Sequence, residues 1–435
     1  MWELKPSIVL ISIDALKPDF LFGSKDVEIE LPNLRKYFIE NGTFASDGVQ
    51  SVFPPFTYPC HQSIITGTNP VKHGISNNCL FDPTGIHKGA WHWRTSKKVK
   101  NLWGESKLNG YVSGSASFPT SAGADGDYIA PEFWFDGTEF DSELLDLIAT
   151  PKGLISEMES EIGRFASGYE LTDESDEQRY KELMFLIEKK LVNTVDKKPF
   201  FVSGYFASFD ESAHIHGVYS KEAKASLVKI DEMLGEVVRR VHELTDDNVI
   251  VCVVSDHGVI TNEFDISPNV LFRENDLLEV DESGKVKDWK VYSQRAGGIC
   301  EVRLKNREDK ETYNKVKNIL SNLLSDENAG VYEVLDNCQS IERGGFPKSD
   351  FVIVAKEGYE IRDNVSGKYL TTDTYQKAQH GYSEFYDDMK ASFFIEGKGI
   401  QKNRNIGKMK LVDIAPTLAN LMGFELEDAE GKNVL

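Results

Sequence analysis

The sequence predicts an α/β protein built on a doubly wound, mostly parallel sheet between helices, with a smaller inserted α+β cap domain. Two observations predict the sheet. Strand patterns alternate with helical patterns along the chain, and several strands are almost continuous apolar runs, as in strands buried on both faces. A change in the sequence pattern between residues 266 and 348, to acidic turns with two strands and one helix, predicts the insertion. The 435 residues, 40% hydrophobic and 27% charged, have ordinary globular composition, which excludes a disordered or collagen-like chain.

The elements of the core follow from apolar periodicity and from turn and capping residues. Pro59 suits the first turn of a helix running to about Thr66, with Thr57 or Tyr58 at its cap. Asp413 and Gly423 bracket the closing helix as its cap and its stop. In chain order, the prediction is strand 7–13, helix 34–40, strand and turn 43–53, helix to 66, strand 111–118, helix 177–195, strand 199–209, helix 221–244, strand 249–254, strand 391–395 and helix 412–422.

The stretch from residue 266 to residue 348 has acidic turns, strands at 299–304 and 331–335, and a helix at 310–324. It contains no histidine. We therefore interpret it as a cap domain inserted into a catalytic core formed by residues 1–265 and 349–435.

Net charge limits the possible binding partners, and cysteine content indicates the cellular compartment. Lys and Arg number 49 and Asp and Glu 70, a net charge of −21, which disfavours long nucleic acid as a partner. A small anionic substrate would need a strong local positive charge such as a metal ion. The apolar run 8–13 is too short to span a membrane, and no signal peptide is recognised, so no membrane partner is expected. Five scattered cysteines without a CxxC pair argue against disulfides and favour the cytoplasm.

Acidic residues follow three of the apolar strands. The first gives Asp14, the strand at 199–209 gives Asp210 with His214 four residues later, and the strand at 249–254 gives Asp256 and His257. A single such Asp is usually a turn former or helix cap, but ligands bind at the carboxyl ends of parallel strands, and three ends together indicate a site. With His380, this set of carboxylates and imidazoles without thiolate suits zinc or manganese better than calcium.

Thr57 lies in the segment FPPFTYPCHQSIITG, where a Pro-rich elbow leads into a helix. Its hydroxyl has two interpretations. It either caps the helix, or it is a nucleophile whose proton is removed with the help of a divalent ion, with the helix N-terminus favouring a phosphate oxygen.

Several motifs together resemble the nucleotide pyrophosphatase/phosphodiesterases of the alkaline phosphatase superfamily. They are IVLISIDALKPDFL, PNL, VFPPFTYPCHQSIITGTNPVKHGISNN, the D-x3-H of Asp210 and His214, SDHG at 255–258, HGY at 380–382 and MKLVDIAPTLANLMG. The resemblance runs in order from residue 8 to residue 423, apart from the cap, and it implies an alkaline-phosphatase-like fold.

The same resemblance implies two divalent metal ions, zinc with manganese as the alternative. One would be held by Asp210, His214 and His380. The other would be held by Asp14, Asp256, His257 and the oxygen of Thr57. Thr57 would be the nucleophile in hydrolysis of a phosphodiester or nucleotide pyrophosphate through a covalent phosphothreonine, and Asn78 would donate to a phosphate oxygen. Tyr58 matches a position that faces a nucleobase, although packing in the core explains it equally well.

Two other functions stay open at this point. The same site could cleave a phosphonate such as phosphonoacetate, or the protein could be a catalytically silent metal-binding scaffold. The complete set of seven ligands and Asn78 weighs against the scaffold.

Overall fold

A computed structural model describes residues 5–23, 27–133, 142–165, 171–192 and 197–435. The strands are β1 Ser7–Ile13, β2 Thr43–Phe44, β3 Gly48–Gln50, β4 Val112–Ala116, β5 Tyr128–Ala130, β6 Phe200–Phe206, β7 Val249–Val254, β8 Ile260–Thr261, β9 Phe264–Ile266, β10 Leu278–Val280, β11 Val286–Trp289, β12 Val291–Ala296, β13 Ile299–Leu304, β14 Val331–Asp336, β15 Phe351–Ala355, β16 Tyr359–Ile361, β17 Leu370–Thr371, β18 Ala378–Gln379, β19 Phe393–Gly397, β20 Arg404–Asn405 and β21 Lys408–Lys410.

The α-helices are α1 Asp19–Phe22, α2 Thr57–Thr66, α3 Pro70–His73, α4 Leu102–Leu108, α5 Ser142–Ile148, α6 Leu154–Ile162, α7 Asp173–Phe185, α8 Ser208–His216, α9 Lys221–Thr245, α10 Pro268–Glu274, α11 Lys310–Ser325, α12 Asn337–Glu342 and α13 Ile414–Met422. Two π-type segments, Leu34–Ile39 and Leu186–Leu191, and two 3₁₀ turns, Asp387–Met389 and Leu411–Asp413, complete the helical part of the described residues.

The described residues form a central eight-stranded sheet in the order β20-β2-β19-β7-β1-β6-β4-β5. Strands β7, β1, β6, β4 and β5 are parallel, and β19 is antiparallel to both β7 and β2. The predicted fold class, a mostly parallel sheet between helices, is confirmed.

The apolar runs are continuous because helices cover both faces of the sheet. In β1, Val9 and Ile11 pack in one hydrophobic cluster with α7 and α9, whereas Ile8 and Leu10 pack in a second cluster with α2 and α13. Alternate residues of a strand point to opposite faces, so a strand between two helical layers has no solvent face to mark with polar residues.

The inserted part forms an antiparallel sheet in the order β12-β13-β15-β14. Strand β15, Phe351–Ala355, lies beyond the predicted boundary at residue 348 and pairs with β13 and β14. The boundary was placed too early for this sheet, because the five buried apolar residues of β15 have the same composition as a strand of the core. The division into a core and a cap domain stays an interpretation.

The expected cap of α2 is wrong, whereas Asp413 is the N-cap residue of α13 as predicted but does not bond to the helix through its side chain. Helix α2 starts at Thr57 itself, and its cap residue is Phe56, without a side-chain bond. Asp413 makes no side-chain bond to α13, and its carboxylate instead accepts the backbone N–H groups of Lys410 and Lys432 at 2.9 Å each. Gly423 ends α13 as predicted, in the left-handed region with φ 81°.

None of the helices in the described ranges is long and apolar enough to cross a membrane. All five cysteines are free, as expected from their scattered positions.

The hairpin between β12 and β13 contacts the backbone of His380. Gly298 N–H donates to the His380 carbonyl at 3.0 Å, and a Cβ added to Gly297 would lie 2.0 Å from the same oxygen. Gly297 also has a φ of 69°, in the region that favours glycine. The hairpin therefore needs glycine for two independent reasons.

We expect Gly297→Ala to lower the free energy of unfolding considerably more than Gly284→Ala. Gly284 has a φ of 82° but nothing within 4 Å of an added Cβ, so its substitution costs only the left-handed conformation, about 1 kcal/mol. Gly297→Ala adds the clash with the His380 carbonyl. Urea unfolding of both variants measures the difference, and equal losses would show that the hairpin moves away without cost.

Candidate metal centre

The carboxyl ends of β1, β6 and β7 meet at one edge of the sheet. The strands are in parallel register, with Ile8 opposite both Phe201 and Ile250. Asp14 follows β1 directly, and its backbone N–H donates to the carbonyl of Phe206, the last residue of β6.

Asp210 is not at the strand end where the sequence placed it. Strand β6 ends at Phe206, earlier than predicted, and Asp210 lies in the first turn of α8 with His214 one turn further on. The spacing of four residues does put both side chains on one face of the helix, as expected, with His214 Nε2 3.1 Å from Asp210 Oδ2.

The first group of ligands surrounds the Nε2 atom of His257. This atom lies 2.9 Å from Asp256 Oδ2, 3.6 Å from Asp14 Oδ1 and 3.4 Å from Thr57 Oγ1. Residues from the ends of β1 and β7 and from α2 are thus brought to one point, and all four side chains are buried.

The second group is centred on Asp210. His380 Nε2 lies 4.0 Å from Asp210 Oδ2, on the same oxygen that His214 approaches. The rings of His257 and His380 stack with centroids 3.9 Å apart, which joins the second group to the first. The structure therefore brings together all seven residues that the sequence predicted.

The residues in this cluster fit divalent metal ions. Asp14 Oδ1, Asp210 Oδ1, Asp256 Oδ2 and His380 Nδ1 are buried and make no hydrogen bond within the described ranges. A buried carboxylate oxygen without a donor is costly unless a cation compensates it. The sets Asp14–Asp256–His257 and Asp210–His257–His380 each place three ligand atoms within 4.8 Å of one another. Carboxylate and imidazole donors suit zinc or manganese.

Backbone carbonyls orient two of the imidazoles. His214 Nδ1 lies 2.7 Å from the Ala378 carbonyl, and His257 Nδ1 lies 3.1 Å from the Gly258 carbonyl. Because a carbonyl can only accept, each Nδ1 carries a proton, so in the neutral imidazole Nε2 is the atom whose lone pair faces the cluster.

Tyr205 is a supporting residue that the sequence analysis missed. Its hydroxyl donates to Asp14 Oδ2, which fixes that carboxylate. Tyr205 lies inside the apolar run of β6, where nothing distinguishes it from a core residue. His61 is fully buried and bonded to the Thr57 carbonyl and to the Ser12 hydroxyl.

Burial and mutual charge shift the ionisation of the cluster. Burial, together with the neighbouring charges of Asp256 and Asp210, raises the pKa of Asp14 well above its ordinary value. Burial would also raise the pKa of Asp210, but the imidazoles of His214 and His380 lower it to about 2. Burial lowers the pKa of His214, but Asp210 outweighs it and raises that pKa to about 9. Without a cation, three carboxylates crowd at one place, and the neighbouring imidazoles offset their charge in part.

Thr57 is the first residue of α2, so its side chain lies at the positive end of the helix dipole. Asn78 lies beside it. The Asn78 Oδ1 atom accepts the backbone N–H of Tyr58 at 2.8 Å, which leaves the amide NH₂ group as a donor.

Tyr58 is only 1% exposed. Its hydroxyl donates to Glu132 Oε2 at 2.6 Å, and its ring meets Trp91 edge-on at 5.2 Å. The ring also lines the cavity described below, so it combines packing with a place in the cavity wall; binding of substrate by Tyr58 stays a prediction.

The cluster opens into a cavity of about 600 Å³. Its walls combine Asp14, Thr57 and Asn78 from the sheet edge with Tyr292 and Arg295 from the inserted sheet. Another cavity, of about 660 Å³ beside Lys97 and Lys98, contains none of the seven residues. We place the chemistry in the first cavity, since that is where the ligand groups and the threonine converge.

The family model for type I phosphodiesterases/nucleotide pyrophosphatases matches residues 8–383. The chain belongs to this family. The expected enzyme class, phosphodiesterase/nucleotide pyrophosphatase, is confirmed with it.

Among its relatives, the human bis(5'-adenosyl)-triphosphatase ENPP4 is 24% identical over 97% of this chain and 79% of its own length. The ectonucleotide pyrophosphatase/phosphodiesterase 1 of Saccharomyces cerevisiae is 24% identical over 91% of this chain and 53% of its own length. Human ENPP5 has a similar fold, with a TM-score of 0.67 and 18% identity over 98% of this chain and 97% of that one. An inactive variant of murine ENPP5, solved in complex with AMP, has the same TM-score and identity and covers 98% of both chains.

We expect Asp14→Asn to stabilise the metal-free protein and to abolish tight metal binding. An amide removes a crowded charge and can still accept from Tyr205, so the free energy of unfolding in EDTA should rise by about 1 kcal/mol near pH 7. Because the folded-state pKa of Asp14 is raised, the wild type should lose stability as the pH rises through it, and the variant should lack this loss.

Asp413→Asn is the matched control, because this buried carboxylate accepts two backbone N–H groups and lies outside the cluster. It should be destabilised with or without metal. Thermal unfolding with EDTA and with Zn²⁺ distinguishes the two variants, and destabilisation of metal-free Asp14→Asn would contradict the crowding of charge.

Proposed function

We propose that the protein is a two-metal hydrolase of phosphodiester or nucleotide pyrophosphate bonds that uses Thr57 as its nucleophile. The observation that carries the proposal is the position of Thr57 Oγ1, 3.4 Å from His257 Nε2, inside a buried cluster of carboxylate and imidazole ligands. A threonine that served only to begin a helix would have no reason to lie there.

The first metal ion would be held by Asp210, His214 and His380. The second would be held by Asp14, Asp256 and His257 together with the Thr57 oxygen. In the structure His257 contacts both groups of ligands, and we assign it to the ion held by Asp14 and Asp256 because these are its nearest carboxylates. Zinc, or alternatively manganese, would supply Lewis-acid stabilisation of the phosphoryl oxygens and would lower the pKa of a hydroxyl ligand.

The residues of the chain then perform the transfer in two steps. The Thr57 oxygen, having given its proton to solvent, forms a bond to phosphorus while the bond to the leaving oxygen breaks, and the leaving group takes a proton from solvent. Water then attacks phosphorus and gives a proton to solvent, the bond to Thr57 breaks, and the Thr57 oxygen takes a proton from solvent. The Asn78 amide and the N-terminus of α2 donate to the phosphate oxygens in both steps.

A nucleotide is the substrate class that we favour. The relatives include a bis(5'-adenosyl)-triphosphatase, and one similar structure is a complex with AMP. The cavity of about 600 Å³ is within the range of small-molecule sites, and its aromatic wall can take a base. We also propose that the reaction takes place in the cytoplasm, a setting consistent with five free cysteines.

We expect Thr57→Ala to abolish turnover of a nitrophenyl nucleotide ester while the protein keeps its fold and its bound zinc. Thr57→Ser, which keeps the hydroxyl, should retain measurable activity. Rates are measured with metal content by elemental analysis. Full activity of Thr57→Ala would exclude a covalent phosphothreonine, and a preference of the wild type for a nitrophenyl monoester or for phosphonoacetate would exclude the diesterase.

We expect Asn78→Ala to lower kcat by about 10²–10³, the usual effect of removing one donor to a developing negative charge. Metal content should stay unchanged, because Asn78 is not among the proposed ligands. Thr68→Ala is a suitable control, since this buried hydroxyl bonds to Thr66 at the other end of α2. If Asn78→Ala lost zinc instead of kcat, the residue would have a structural role.

A further inference from the structure

A buried charged network lies on α7, among residues that are neither metal ligands nor the nucleophile. Arg179 is 1% exposed, and Asp176 and Glu182, one turn to either side of it, are fully buried. Arg179 Nη1 donates to Asp176 Oδ1 at 2.9 Å and to Ser175 Oγ at 3.0 Å.

Asp176 holds the start of the helix that carries two proposed ligands. Its carboxylate accepts the backbone N–H of Ala207 at 3.0 Å and that of Ser208 at 2.9 Å. Helix α8 has no side-chain cap of its own, because its cap residue is Ala207. A carboxylate from another helix therefore caps α8, as an N-terminal Ser or Asp usually does. It thereby fixes the start of the helix that carries Asp210 and His214.

Arg179 also approaches the other ligand group. Its guanidinium carbon lies 5.7 Å from the centre of the Tyr205 ring. The hydroxyl of that ring donates to Asp14 Oδ2. One cation is thus connected through Asp176 to the helix of Asp210 and through Tyr205 to Asp14.

A third branch reaches the side of the nucleophile. Burial raises the pKa of Glu132 to about 7, against the opposing effects of the bond from Tyr58 and of the charge of Arg179. The Tyr58 hydroxyl donates to Glu132 Oε2, and the Tyr58 backbone N–H donates to Asn78. The network therefore extends to Tyr58, the residue after the threonine, and through it to Asn78.

Stability alone does not account for such a network. Desolvation of a buried ion pair costs several kcal/mol, and well-packed apolar residues of similar volume are often as stable or more stable. An ion pair with directed bonds does, however, define one arrangement of the elements that it joins.

We propose that Arg179 and Asp176 are positioning residues that set the distance between the two metal-ligand groups. They act through other residues and are not themselves metal ligands. Arg179 fixes Asp176 against the first turn of α8 and supports the ring of Tyr205, so that Asp210 and Asp14 face each other at the spacing that two cations and one phosphoryl group require. This inference rests on the proposed function.

The test uses Arg179→Lys and the double variant Asp176→Asn/Arg179→Met. Lysine keeps the positive charge but lacks the planar guanidinium group that donates several hydrogen bonds at once. The double variant removes the negative and the positive charge together, so that neither is left buried without its partner. Each is compared with the wild type by competition of a chelator for Zn²⁺ and by hydrogen exchange of the Ala207 and Ser208 amides in the metal-free protein.

We expect both variants to weaken at least one zinc-binding step about 10-fold or more, as is usual when support for a ligand is removed. Exchange at Ala207 and Ser208 should be faster in the double variant. Arg303→Met is the matched control, because it also deprives a buried carboxylate, Glu301, of an arginine partner at 2.6 Å, but in the inserted sheet. It should lower stability and leave zinc affinity unchanged.

Wild-type zinc affinity and wild-type hydrogen exchange in Arg179→Lys would overturn the inference. If the double variant does not fold, the result for Arg179→Lys alone decides between the two outcomes. An equal loss of zinc affinity in Arg303→Met would also overturn it, because the effect would then follow from stability in general. A wild type that binds no zinc would instead contradict the proposed function, and exchange at Ala207 and Ser208 would still report whether Asp176 holds α8.

Discussion

The parallel pairing of β1 with β6 on one side and β7 on the other is the constraint on which the site depends. Because Ile8 lies opposite both Phe201 and Ile250, the three strands end at the same edge of the sheet. The residues that follow them are therefore close together in space. Antiparallel pairing would send one of these ends to the opposite edge of the sheet. The buried strand interiors, with apolar side chains on both faces, stabilise this register.

The same pairing creates an electrostatic problem that the polypeptide only partly solves. Asp14, Asp210 and Asp256 are buried beside one another, and the donors nearest to them include a tyrosine hydroxyl and the Ala15 backbone N–H. In the part of the chain that the structure describes, one oxygen of each carboxylate remains without a donor. Packing of the sheet thus stabilises a cluster of buried carboxylates that is unfavourable by itself and becomes favourable when cations are present. Such local destabilisation is common at functional sites.

Much of the fold and of the site could be predicted from the sequence, because both depend on local signals. Apolar runs marked β1, β6 and β7, and an acidic residue within a few positions of the end of each strand marked the edge where the strands meet. Strand β15 was assigned to the core because a short apolar run carries no information about its pairing partner. Asp210 was placed at a strand end because the boundary between β6 and α8 falls inside an apolar stretch.

Supporting residues left no signal in the sequence. Tyr205 looks like a core residue of its strand, and Arg179 looks like a surface residue of a charged helix; their roles depend on which element packs against them. The orientation of His214 depends on the Ala378 carbonyl, 164 residues away. Such contacts are properties of the tertiary structure and of no single segment.

The glycine hairpin of β12 and β13 ties the inserted sheet to the main chain of His380. A displacement of the hairpin would therefore move the backbone of His380, and with it the imidazole that lies 4.0 Å from Asp210. The inserted sheet also supplies Tyr292 and Arg295 to the cavity wall. Because its backbone is anchored at His380, a change of either side chain would alter the shape of the wall and leave the imidazole in place.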